Sequence, residues 1–345
     1  MLPNIKSSSE VAFSGAKRLL IIAEGFETRS LAWIGKQKHE KIFDSSIVFK
    51  YHPEKKSRFE EMSTEVGLRT KSNLLTIEYN SYEPTVFEQA FEKQLENIND
   101  YDEIYIDITV MSKMLILIVV NKLKIYKNTL HIIYTEPESW GPTKEQFEKA
   151  FLERKLGASI CLSSIGVGDT VRTPGLSSIV MQNSPPILIA FLSFNEQLVN
   201  MLINEINPEK IILINQKCLK NQWRVGAIQQ IHETIIDEYR VVDGEDLLKY
   251  ELKDYHKVFE KIADVYKKSW LTNRLIISPT GFKLHAFACA LAKICCPDIH
   301  IEYPTPESYL FDGYSSDNIC EIHELTFLNF QNDVINLANE YGLNG

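Results

Sequence analysis

Six carboxylates and two lysines fall where apolar runs of this chain give way to polar turns: Glu24, Asp107, Glu136, Glu138, Glu302 and Glu307, with Lys113 and Lys283. Ligands of open α/β sheets bind outside the carboxyl ends of the strands, so these positions are where anion chemistry would be done. The stretch Leu275–Lys293 shows the pattern most fully. Leu275–Ile277 is apolar, Ser278-Pro279-Thr280-Gly281 breaks it, and an Ala-rich segment of helical spacing follows. A strand, a tight polar turn and a helix opening in small residues can cradle an anion, because the helix's first N–H groups and its positive dipole end face the turn. Lys283 lies in that first helical turn, where a cation opposes the dipole, and a charge kept against the local preference points to a ligand. Ser278, Thr280, Gly281 and Lys283 are its expected contacts.

Other turns repeat the arrangement. Ile104–Thr109 reads as a strand, followed by Val110-Met111-Ser112-Lys113 and the apolar helix Met114–Leu123. Asp107 and Thr109 are two apart, so alternation along the strand sends both to one side. Asp107 reads either as the cap of the following helix or as a ligand contact. Arg18–Ala23 is an apolar strand leading into Glu24-Gly25-Phe26-Glu27-Thr28-Arg29-Ser30. Gly25 permits a positive φ or a close backbone approach. Arg29 either grips a phosphate or carboxylate with two prongs or forms a surface pair with Glu27. Ser193 and Asn195 follow the strand Pro186–Ala190, and Arg172 sits in the glycine-punctuated stretch Ser159–Gly175. His52, Lys55, Lys56 and Arg58 read either as a polyanion groove or as a solvated loop.

Several chemistries are missing. No GxxxxGK[ST] loop occurs, and Gly166-Val-Gly168 lacks the third glycine of a dinucleotide fingerprint. No Ser-His-Asp arrangement, HExxH or paired-aspartate motif is legible. His285, on an Ala-rich helix, reads as a core or helix-face residue more than as a base. Cys295-Cys296 has no partner spacing for a metal. No metal and no cofactor are expected, and no catalytic residue is assigned.

The elements that must position these residues recur at one interval. Thr109 and Thr280 are 171 residues apart, and Lys113 and Lys283 are 170 apart. Pro137-Glu-Ser-Trp140 precedes Pro306-Glu-Ser-Tyr309 by 169, and Leu20–Phe26 answers Leu188–Phe194 at 168. Three segments in one order at nearly one offset indicate an internal duplication. Further strands are expected at Ser46–Tyr51, Leu74–Glu78, Thr129–Thr135, Lys210–Asn215 and Ile299–Tyr303. A helix is expected over Val86–Asn97 with Thr85 as cap, others lie around Trp223–Tyr239 and Leu252–Trp270, and Arg240–Val242 is short and extended. An amphipathic terminal helix covers Leu325–Tyr341. The fold class is α/β, two tandem Rossmann-like halves with doubly wound, mainly parallel sheets. Residues 1–155 form the first half, 156–186 the crossing, and 187–345 the second half with its terminal helix.

Composition agrees with a globular chain of about two domains: 345 residues, 44% apolar and 24% charged. A net charge of −9 argues against non-specific nucleic-acid binding across the whole surface. No run has the roughly 18 apolar residues of a membrane span, and Met1–Lys17 lacks the apolar core of a signal peptide. Six cysteines without CxxC spacing do not make a disulfide scaffold in so long a chain. A cytoplasmic protein is expected.

Ser278-Pro-Thr-Gly-Phe-Lys283, with its strand before and small-residue helix after, resembles the (S/N)xTGGxK turn of CARF-type Rossmann domains, and SAVED domains, two fused CARF-like units, are similar. Phe282 stands where the second glycine would be, and the first half keeps only Thr109 and Lys113. The resemblance implies a cyclic-oligonucleotide second messenger of prokaryotic antiphage immunity, bound in the cleft between two halves by Thr280, Gly281, Lys283, Thr109 and Lys113. Three functions follow: a nucleotide sensor signalling to a separate effector chain, a phosphodiesterase of ring-nuclease type in the same cleft, or a non-catalytic adaptor subunit. The ligand-facing set comprises Glu24, Gly25, Phe26, Glu27, Arg29, Asp107, Thr109, Ser112, Lys113, Glu136, Glu138, Arg172, Ser193, Asn195, Ser278, Thr280, Gly281, Lys283 and Glu307. A homo- or hetero-oligomer and no membrane partner are expected.

Overall fold

The computed structural model describes residues 2–12, 14–52, 57–154, 159–162, 164–309, 315 and 318–343. Lys55 and Lys56 of the basic stretch lie outside the described residues. The chain divides into two compact units, Met1–Ser139 with Ser315–Glu340, and Trp140–Tyr314 with Tyr341–Gly345.

The first unit runs β1 (Lys6–Ser7), β2 (Arg18–Ala23), α1 (Ala32–Gly35), β3 (Phe43–His52), α2 (Phe59–Arg69), β4 (Thr70–Asn80), α3 (Pro84–Lys93), β5 (Glu103–Asp107), α4 (Lys113–Lys122) and β6 (Thr129–Pro137). The second opens with α5 (Lys144–Arg154), β7 (Ser164–Ile165), β8 (Thr170–Val171), β9 (Pro186–Phe191), α6 (Glu196–Ile206) and β10 (Lys210–Lys217). It continues with α7 (Trp223–Ile231), α8 (Glu233–Glu238), β11 (Leu247–Glu251), α9 (Tyr255–Ser269), β12 (Arg274–Ser278), α10 (Lys283–Cys295), β13 (His300–Ile301), β14 (Tyr303–Pro304) and β15 (Ser308–Tyr309). The chain then returns to the first unit as β16 (Ile319–Phe327) and α11 (Phe330–Glu340).

Continuous apolar runs became strands covered on both faces: every residue of β2 is buried, as are Leu275–Ser278 of β12. In α9 the buried set Tyr255, Val258, Phe259, Ile262, Ala263 and Tyr266 recurs at three and four residues, which is the apolar stripe of a helix laid on a sheet. The first sheet has the order β1-β16-β6-β5-β2-β3-β4 and the second β11-β10-β9-β12-β13. β2 to β6 pair in parallel, whereas β16 is antiparallel to β6 and β1 to β16. The second sheet is parallel throughout. Each unit therefore places its first parallel strand centrally, the next two on one side and the last two on the other. That is a doubly wound α/β arrangement, and the order reverses between β2 and β5 and between β9 and β12, the switch points at whose carboxyl ends open α/β sheets bind ligands.

Some expected boundaries differ. The units part at 139/140, not at 155/156: residues 140–154 go with the second unit, where Phe147 of α5 packs in its core. The stretch expected as a crossing, 156–186, lies wholly in the second unit, its β7 and β8 pairing antiparallel with β15 and β14. Leu325 and Phe327 lie on a strand, because buried His323, Leu325 and Phe327 alternate with period two, and the helix begins only at Phe330. The helix expected over 86–97 is α3, which starts at Pro84 with Glu83 at its cap position, so Thr85 is not the cap. Arg240–Val242 is a turn: Arg240 has φ 51°, and the Val242 carbonyl accepts three N–H groups from Glu245, Asp246 and Leu247. The strand lies just beyond it, as β11.

Candidate functional site

At the switch point of the first unit, β2 and β5 deliver the Glu24–Ser30 and Ile108–Ser112 turns. Gly25 is needed for their approach: a Cβ there would lie 2.7 Å from the Val110 Cβ. The charged groups of this edge are engaged within the fold. Glu24 is buried and accepts from the Tyr51 N–H and the Ser57 hydroxyl, tying the ends of two turns together. Arg29 is 1% exposed and donates to both Glu27 oxygens, at 2.8 and 3.0 Å, and to the Thr135 carbonyl at 2.7 Å. Its guanidinium also lies 5.8 Å from the Tyr134 ring centre. Burial works against this charge, but Tyr134 and Glu27 outweigh it and hold the guanidinium above its ordinary value. Glu27 also accepts from Ser315. The pair is neither a surface ion pair nor a guanidinium open to a phosphate; it is a buried cross-brace.

Asp107 ends β5, and its Oδ1 accepts the Thr109 N–H at 2.9 Å. Thr109 in turn accepts the Thr135 N–H at 2.9 Å, fastening the turn to β6. Asp107 is not the cap of α4. Ser112 is, accepting from the Leu115 N–H at 3.2 Å, while its own N–H donates to the Tyr51 hydroxyl at 2.7 Å. Lys113 then opens α4, half-buried, and burial pushes its ammonium down to about 8. Phe26 is half-buried on the first turn. Glu136 accepts from buried His323 at 2.7 Å, and exposed Glu138 from Asn318 at 3.0 Å. His323 lies on the antiparallel β16 and Asn318 just before it; of that strand, only Leu325–Phe327 fell within the expected terminal helix.

At the second edge the turns after β9 and β12 are fastened by neutral polar groups. Gly281 is the tight point: a Cβ there would lie 2.7 Å from Phe191 Cδ1. Thr280 donates to the Phe191 carbonyl, so the turn after β12 is fastened to the end of β9. Ser278 is fully buried, and its hydroxyl has no hydrogen-bond partner among the described residues. α10 then starts at Lys283 with Phe282 in the cap position and no side-chain cap. On β9's side, Asn195 caps α6, accepting from the Gln197 N–H at 3.1 Å, and donates to Ser164 Oγ at 2.9 Å and the Gly166 carbonyl at 3.1 Å. The Ser193 carbonyl meets His232 Nε2 at 3.0 Å. His285 is completely buried, with Nε2 2.8 Å from the Glu251 carbonyl. A carbonyl can only accept, so both histidines carry their proton on Nε2. Burial pushes each down to about 4 and keeps it neutral.

Two expected contacts of this unit are placed elsewhere. Arg172 is bidentate on Glu302, with contacts at 2.6 to 2.9 Å. Burial opposes the Glu302 charge, but His300 and Arg172 hold its carboxyl below the ordinary range. Glu307 lies over Gly166, whose φ is 64° and where a Cβ would sit 2.7 Å from the carboxyl carbon. The structure therefore brings together Ser278, Thr280, Gly281 and Lys283 at one turn, and Asp107, Thr109, Ser112 and Lys113 at another. Glu24, Glu27 and Arg29 serve to brace the first edge. Tyr51 and Thr135 were missed; an aromatic at the carboxyl end of β3 was the available signal for Tyr51. No group of histidine, cysteine or carboxylate side chains suited to a metal occurs among the described residues.

No known family profile matches the sequence, and no curated protein matches it. Among solved structures, the chain is similar to a type III CRISPR defence DNA nuclease activated by cyclic oligoadenylate, with TM-score 0.43 and 10% identity over 83% of this chain. The chain spans 65% of that nuclease's length. Looser likenesses are to UDP-GlcNAc 2-epimerase of Methanocaldococcus jannaschii, with TM-score 0.24 and 10% identity over 95% of this chain and 93% of that one. Phosphoethanolamine N-methyltransferase 1 of Haemonchus contortus gives 0.22 and 8%, over 78% and 70%.

Proposed function

We propose that the protein binds a nucleotide, of the cyclic-oligonucleotide second-messenger class used in antiphage defence, at the carboxyl edge of its parallel sheets, and acts as a sensor. The observation that carries this reading is the contrast between two helix starts: α4 is closed by Ser112, whereas α10 has no side-chain cap and begins on Lys283 behind Thr280-Gly281. A helix start without a side-chain cap, its dipole end and a lysine in the first turn suit a phosphate. The sequence resemblance supplies the ligand class. A thermal-shift panel of mono-, di- and cyclic oligonucleotides, with mass spectrometry of the recovered ligand, tests it: a ligand at one hundred times its dissociation constant adds about 2.7 kcal/mol. Recovery of an intact ligand supports the sensor, and no shift with any nucleotide rejects it.

One observation favours a second reading, a phosphodiesterase. Lys113 has its ammonium pushed down to about 8, close enough to neutrality to pass a proton in the turn that carries Asp107. Cleaved nucleotide in the recovered fraction, lost in Lys113→Met, would move the protein into that class.

A further inference from the structure

The start of α10 is flanked by an aromatic pair that leaves part of its surface open. Phe282 occupies the cap position of that helix and is half-buried. Serine, threonine, asparagine, aspartate or glycine would serve the free N–H groups better there, and the (S/N)xTGGxK pattern has its second glycine at this place. The Phe282 ring meets Trp140, also half-buried, with centroids 5.8 Å apart and planes at 45°. Buried His285 stands edge-on to Phe282, at 5.2 Å and 77°.

Trp140 is held in place by its backbone. Arg224 of α7 donates to three successive carbonyls, those of Trp140, Gly141 and Pro142, at 3.1, 2.9 and 3.0 Å. Its guanidinium lies over the rings of Phe194 and Trp223, at 4.6 and 5.6 Å. Burial pushes this guanidinium down to about 10, so the clamp is made at some cost to the fold. At the far end of the turn, the Thr143 N–H donates to the Gln146 side chain at 2.8 Å and the Gln146 N–H to the Thr143 hydroxyl at 3.2 Å. That is a capping box, and it starts α5. Both ends of the stretch 140–143 are therefore fixed, and the indole is presented on a rigid turn.

Partly open aromatic rings beside a helix start that suits a phosphate fit a ligand carrying a base, because every base has a π-face to stack. Resting on the nucleotide reading above, we propose that Trp140 and Phe282 are the base subsite of the α10 turn: a nucleobase stacks against this pair while its phosphate meets Thr280–Lys283. Phe282 gives up the cap and gains this contact. The pair selects base-bearing phosphates over bare ones and reads little of which base is present, since stacking strength and not hydrogen bonding decides.

Calorimetric titration of the full chain with cyclic triadenylate, cyclic tetra-adenylate and the base-free ribose 5-phosphate tests this. Wild type is expected to bind a cyclic oligoadenylate, and Trp140→Leu and Phe282→Leu each to weaken it by about five- to hundredfold, the range of one stacked base. Both variants are expected to bind ribose 5-phosphate as wild type does, whereas Lys283→Ala weakens every probe. A stacked base also quenches indole emission, so binding should quench wild type, and Trp140→Phe should keep most of the affinity and lose the quench. This readout decides if circular dichroism shows that the leucine variants do not fold. Wild-type affinity in either leucine variant, equal losses for ribose 5-phosphate, or a quench that persists in Trp140→Phe overturns the base subsite and leaves the sensor reading standing. No binding of either cyclic oligoadenylate by wild type overturns that reading and the subsite with it.

Discussion

The two carboxyl edges share a strand order and differ in what the chain has already done with it. In the first unit the edge is charged and closed. Glu27 and Arg29 brace one another, Glu24 holds Tyr51 and Ser57, Glu136 holds His323, and Ser112 caps α4. In the second the turns after β9 and β12 are fastened by neutral groups, Thr280 and Asn195, and α10, which opens on Lys283, has no side-chain cap. The close approach is reversed as well. In the first unit the glycine lies after the first strand and meets Val110 of the fourth strand's turn. In the second it lies after the fourth strand and meets Phe191 of the first. One topology thus sets where turns converge, while side chains decide whether the meeting point becomes a brace or a cradle.

The comparison can be broken at its strongest point first. Glu27→Gln leaves the buried Arg29 charge without its carboxylate and is expected to cost about 3–5 kcal/mol in urea unfolding; a loss under 1 kcal/mol would mean that the pair is not a brace. The second edge has an acid weakness instead. For His232 and His285 the folded value is depressed to about 4, below the unfolded value near 6.5. The unfolded chain therefore binds more protons between those limits. Stability is fully present above about 6.5 and falls as pH drops toward 4, by up to roughly 3 kcal/mol for each histidine. Urea titrations at a series of pH values read this, and a flat profile would place the histidines in contact with solvent.

Smaller effects sharpen the picture. Gly25→Ala and Gly281→Ala each force a methyl against a packed side chain and should lower stability by about 1–3 kcal/mol. Adding Phe191→Leu should recover part of the second loss and none of the first. Ser112→Ala removes the α4 cap and should lower stability by about 1 kcal/mol, measured by thermal unfolding.

The strands were legible because parallel strands covered on both faces read as unbroken apolar runs, as in Arg18–Ala23 and Pro186–Phe191. The turns followed from where those runs stopped. The return of β16 to the first sheet was not legible: Leu325, Phe327, Leu328 and Phe330 satisfy helical and alternating spacing equally, and only pairing with β6 decides. His323 was lost with it. Arg29 illustrates the limit at the site. Its residue type and its turn suggested a ligand grip, but whether a guanidinium serves a ligand or the fold depends on burial and on carbonyls more than a hundred residues away, such as Thr135.

The most direct test is calorimetric titration of a cyclic oligonucleotide into wild type, Lys283→Ala and Lys113→Ala. Binding lost in Lys283→Ala, with all three proteins folded, is the expected result. Equal affinity in Lys283→Ala and wild type would contradict the cradle at α10 and remove it as the site.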